Sequence, residues 1–97
     1  MESPAVERVI DDLVRTEGTT RERVLKEALR AFLQEKKRAV QSDQLDILRR
    51  YGAASATALE EKIRRGEIGE MPAWEDRIAL DHLAEAVRRI EDDLAAL

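Results

Sequence analysis

The chain is 97 residues long, with 43% apolar residues, 39% charged residues and a formal net charge of -4. The absence of cysteine excludes disulfides, thiol catalysis and cysteine-ligated zinc. No apolar run approaches the ~20 residues that a membrane span needs, and an isoelectric point near 5.1 argues against attraction of the whole chain to nucleic acid.

A charged fraction well above the usual value of about 25% suits long helices with narrow apolar stripes and wide solvated faces. The expectation is therefore a single all-α domain over residues 1–97. It comprises about four helices, one of them long, in an open bundle or hairpin that associates with itself. Glu2, and no basic-then-apolar leader, make the cytoplasm the default location. The lack of asparagine and the excess of arginine over lysine would suit a thermophilic protein.

Ser3-Pro4 predicts a helix start, with serine as cap and proline in the first helical position. Val6, Val9, Ile10, Leu13 and Val14 then share one face at helical spacing, and Gly18 stops the helix. Thr19 and Glu22 have capping-box spacing for a second helix. Val24, Leu25, Ala28, Leu29, Phe32 and Leu33 give that helix a dense apolar face, which thins at Glu35-Lys36-Lys37-Arg38 and resumes at Val40, Leu45, Ile47 and Leu48. No glycine or proline interrupts residues 20–51. The reading is one long helix, although Ser42 could instead cap a new one.

Tyr51-Gly52 ends this segment, so residues 1–51 read as helix, turn and long helix. Ser55 or Thr57 caps a short third helix, which Gly66 closes. Residues 66–72 form the evident linker, and Pro72 opens the last helix. There Leu80, Leu83, Val87, Ile90, Leu94 and Leu97 recur at steps of three and four, the spacing of a coiled-coil seam. The run is under three heptads, so a helix packed within a bundle is favoured over a free-standing zipper. Trp74, beside Met71 and Pro72 and one turn from Ile78, is either a lid on the core or an interface anchor.

The chemistry-bearing residues do not converge on a catalytic set, and the expectation is a protein that is not an enzyme and carries no metal or cofactor. His82 is the sole histidine, with Glu85 as its one reachable carboxylate and no nucleophile beside it. The pairs Asp11-Asp12, Glu60-Glu61 and Asp92-Asp93 read as solvated faces, for example Glu61 with Arg64 or Arg65. Among the basic clusters, Arg21-Arg23-Lys26-Arg30 lines the start of the second helix. A helix N-terminus with arginine nearby can clamp a phosphate.

The segment from Glu7 to Leu33 resembles the helix-helix half of ribbon-helix-helix proteins, small dimeric DNA binders common among antitoxins. Ile10, Leu13 and Val14 match the buried positions of the first helix, and Gly18 matches the turn glycine. Thr19, Thr20 and Arg21 match the capping and phosphate-contacting stretch. Val24, Ala28, Leu29 and Leu33 match the stripe that packs against its twin. The base-reading strand has no counterpart, because residues 1–6 are short and contain Pro4.

The resemblance implies a homo-oligomer, with a dimer favoured, whose C-terminal part would engage a toxin-like protein partner. Leu25, Leu29, Phe32, Leu33, Trp74, Leu80, Leu83, Val87, Ile90 and Leu94 are the expected self-association or partner-binding residues. The alternative is a DNA-binding regulator of ribbon-helix-helix type, gripping phosphates through Thr19, Thr20 and Arg21.

Overall fold

The computed structural model describes residues 3–97. Four helices follow one another: α1 (Pro4–Glu17), α2 (Arg21–Arg50), α3 (Ala56–Arg64) and α4 (Glu70–Ala96). The described residues contain no strand. Met1 and Glu2 lie outside the described residues, so only part of the expected strandless N-terminus can be followed. Ser3 is extended, and the helix is under way from Pro4.

The helix ends follow from local chemistry. The Ser3 hydroxyl accepts from the Val6 amide at 3.2 Å. Gly18 closes α1 in the left-handed conformation, at φ 62° and ψ 43°, where a side chain would be strained. The expected capping box at Thr19 is corrected by one residue: Thr20 caps α2 and accepts from the Arg23 amide at 3.2 Å. The cap must be extended while the next residue is already helical, and Thr20 is the extended residue, at φ -116° and ψ 159°. Ser55 rather than Thr57 caps α3, accepting from the Ala58 amide at 3.0 Å.

Helix α2 is one unbroken helix of 30 residues, so Ser42 neither breaks it nor caps a new one. The linker is shorter than residues 66–72, because α4 takes in Glu70. Its regular course starts at Pro72, since Met71 is extended at φ -113° and ψ 133°, as the ring of a following proline favours. The Met71–Pro72 peptide bond is cis.

Helices α2 and α4 run antiparallel for most of their length. Arg50 meets Asp76 at 3.4 Å at one end, and Lys37 meets Glu91 at 3.3 Å midway. At the other end Leu25 and Leu29 line a groove with Ala96 and Leu97. The seam expected on α4 therefore faces α2 over its first part: Leu80 is buried in the core and Leu83 packs on it. Val87, Ile90 and Leu94 are half-buried.

The core sits at one end of this hairpin. Ile47 from α2, Leu59 and Ile63 from α3, and Ala73 and Leu80 from α4 form its buried cluster, with Tyr51, Ala56 and Ile68 packed around it. Leu59 is wholly buried, at 0% exposure. Helix α1 contributes a single buried residue, Ile10, away from that cluster. The result is a rod of 61 × 23 × 20 Å with a radius of gyration of 19.8 Å. A compact chain of this length would have about 12–13 Å.

Candidate interaction faces

The large apolar side chains left in solvent fall into two groups, one toward each end of the rod. At the α1–α2 end they are Val6, Val9, Leu13, Leu29 and Phe32; at the α3–α4 end they are Met71, Trp74 and Ile78. Leu45 lies between, beside a groove with Leu48, Ala56, Leu80 and Ala84.

Among the residues expected to mediate association, the structure draws a clear division. Leu29 and Phe32 are 50% and 62% exposed, whereas Leu25 and Leu33 are half-buried. On α1, Val6, Val9 and Leu13 adjoin the buried Ile10 on one apolar arc. A groove opens between the two helices, lined by Leu13, Val24 and Ala28 with Glu17, Arg23 and Glu27 on its rim. The Lys36 ammonium lies over the Phe32 ring at 5.9 Å, so the open face carries a cation beside its largest side chain.

At the other end, Trp74 is 42% exposed and shares a shallow depression with Ile63, Arg64 and Glu70. It sits at the margin of the core rather than inside it. Its helical neighbour Ala73 is wholly buried. Ile78, one turn on, extends the same exposed strip.

Polar contacts pin this end together. Asp76 accepts from the Tyr51 hydroxyl and pairs with Arg50 at 3.4 Å, tying α2 to α4. The hydrogen bond to Asp76 is the main cause holding the Tyr51 phenol above its ordinary pKa, with burial and the Asp76 charge adding to it and Arg50 opposing. Arg77 lies between Asp81 at 2.6 Å and Glu60 at 3.7 Å, joining α4 to α3. The ties between helices are not visible in the sequence, because Tyr51 and Asp76 are 25 residues apart and Glu60 and Arg77 lie on different helices.

The expected phosphate stretch is largely engaged within the chain. The Thr20 hydroxyl serves the cap, and Arg21 meets Glu7 at 3.0 Å. Thr19 is half-buried, with a hydroxyl that reaches no hydrogen-bond partner. Nor does Glu85 pair with His82: it accepts from Arg88, whose hydrogen bond holds the Glu85 carboxyl below its ordinary pKa. Of the acidic pairs expected on solvated faces, Asp11, Glu61, Asp92 and Asp93 are exposed and Asp12 is half-buried; Glu60 is a correction, because packing of α3 on α4 half-buries it beside Arg77. Asp12 pairs with Arg15 at 2.7 Å, Glu60 with Arg64 at 3.0 Å and Glu61 with Arg65 at 2.7 Å. Among the described residues no group of three metal-ligating side chains converges, and no helix is long and apolar enough to cross a membrane.

Comparison with known proteins places the whole chain in one family. It belongs to the Uncharacterized protein MJ0235 family, whose model matches residues 1–97. No curated protein and no solved structure matches it.

Proposed function

We propose that this member of the family is a non-enzymatic helical interaction protein, antitoxin-like or regulatory, that assembles with itself and holds a protein partner. One observation carries the reading: among the described residues, the exposed large apolar side chains other than Leu45 lie toward the two ends of a narrow rod. Scattered apolar residues on a surface are ordinary, but grouped ones mark contact surfaces. The Trp74 face has the composition of an interface anchor, a tryptophan flanked by Met71 and Ile78 with Glu70 and Arg64 at its edge. The α1–α2 face supplies a second, independent surface.

Light scattering at two chain concentrations tests the first half of this reading. A mass of twice the chain mass or more is expected. A mass equal to 11.0 kDa at both concentrations would remove self-assembly.

A DNA-binding regulator is the alternative. Its support is the capped N-terminus of α2, where free amides and Arg21 stand together. Against it, Arg21 is drawn to Glu7. Duplex DNA retarded at low salt, and released steeply as salt rises, would favour this alternative.

A further inference from the structure

Helix α1 is too lightly held for its sequence. It has 14 residues, a length at which an isolated helix is marginal in water. Tertiary packing must therefore supply most of its stability, yet only Ile10 is buried. Val6, Val9 and Leu13 remain 48%, 48% and 40% exposed. Among the described residues, the Glu7–Arg21 tie to α2 is about two-fifths exposed on each side, where an ion pair contributes little.

The whole surface tells the same story. The chain exposes 7131 Å², whereas a folded monomer of its mass exposes about 5,600 Å². The rod shape thus leaves about 1,500 Å² more surface open than a compact chain would, against the roughly 800 Å² per partner that a standard two-chain interface hides. Among the described residues, the α1–α2 end leaves Val6, Val9, Leu13, Leu29 and Phe32 exposed and carries the groove lined by Leu13, Val24 and Ala28. Its rim carries both signs of charge, Glu17 and Glu27 with Arg23. A self-complementary patch of this kind suits a two-fold contact, in which each copy offers the same surface to the other.

We propose that a second copy of this chain docks on the α1–α2 face, over Leu13, Val24, Ala28 and Phe32, and that α1 is stably folded only in that dimer. This rests on the self-assembly reading and adds to it the face used and the coupling of α1 to docking. The partner-binding strip at Trp74 is left free by such a dimer.

The test compares wild type, Phe32→Glu and Ile78→Glu by light scattering and by far-ultraviolet circular dichroism over a dilution series. Phe32 is mostly exposed in the protomer, so the charge spares the core and the variant keeps its main melting transition. The expected result has three parts. Phe32→Glu raises the dimer dissociation constant at least tenfold, and Ile78→Glu leaves it unchanged. Dissociation is accompanied by loss of helicity of about one α1 helix. Trypsin then cuts at Arg15 and Arg21 in the dissociated chain and is blocked in the dimer.

A dimer broken by Ile78→Glu and indifferent to Phe32→Glu would overturn the assigned face while keeping self-assembly. A wild-type monomer at every concentration would overturn both. Dissociation without loss of helicity or gain of cleavage would overturn the coupling of α1 to docking.

Discussion

Asp76 holds two partners at once, the Tyr51 hydroxyl and the Arg50 guanidinium, and both come from the C-terminal end of α2. The carboxylate thus closes the hairpin where the core begins. Tyr51→Phe removes one hydrogen bond at a partly exposed site and should cost about 1 kcal/mol of stability, measured by urea unfolding. The pH dependence follows from the raised phenol pKa. A group whose folded pKa exceeds its unfolded value stabilises fully below the unfolded value, here about 10. That stabilisation fades as pH rises through the folded value. The gap in melting temperature between wild type and Tyr51→Phe should therefore persist at neutral pH and close in strong alkali; a gap constant across that range would refute the assigned hydrogen bond. Leu59 is the other decisive side chain. Among the described residues it is the one large side chain with no exposure at all, and Leu59→Ala should cost about 2–5 kcal/mol by cavity formation. In so small a core this is expected to abolish a cooperative melt.

Among the elements, α2 depends on its cap because its first turns carry exposed apolar residues and lack core contacts. Thr20→Ala should cost about 1 kcal/mol and reduce helicity, while Thr19→Ala should not, since the hydroxyl of Thr19 receives no hydrogen bond. Equal losses would restore Thr19 as the cap. Helix boundaries were largely legible in the sequence. Ser3-Pro4, Gly18, Ser55 and Gly66 each act through groups within a few residues, and such chemistry is written locally. The one-residue shift from Thr19 to Thr20 was not legible, because two adjacent threonines offer the same hydroxyl. Continuity at Ser42 was also open, since serine both tolerates a helix interior and caps a new helix. Periodicity showed that α4 has an apolar stripe, but not what covers it. Leu80 and Leu83 pack inside the protomer, while Leu45 and Ile47, two residues apart on α2, end up exposed and buried.

At the scale of the molecule, the hairpin is longer than its core. The core occupies the Tyr51–Asp76 end, and the remaining length of α2 and α4 carries half-buried apolar residues such as Leu33, Val87, Ile90 and Leu94 and the cross-helix ion pair Lys37–Glu91. Many of the ion pairs link residues three or four apart on one helix, such as Arg38–Glu35 and Arg88–Glu85. Exposed pairs of that kind contribute little and are screened by salt. Raising salt from about 0.1 M to about 1 M should therefore change unfolding stability by less than about 1 kcal/mol. A large loss would mean that Lys37–Glu91 or Arg77–Asp81 carries more of the fold than its exposure suggests. The candidate faces were visible in the sequence only as hydrophobic positions. Which of them stay in solvent depends on how three helices share one end of the rod.

The placement of the whole buried cluster at one end has a kinetic consequence. Backbone amides along the single helix α2 should exchange with solvent at graded rates. Those of Gln44 to Arg50 would be slowest, because releasing them requires opening the packed end. Those of Arg23 to Leu33 would be fast in dilute protein, since fraying from that end leaves the core intact. One continuous helix would then behave as two cooperative units, a fixed stem and a tip whose protection, in the proposed dimer, rises with chain concentration.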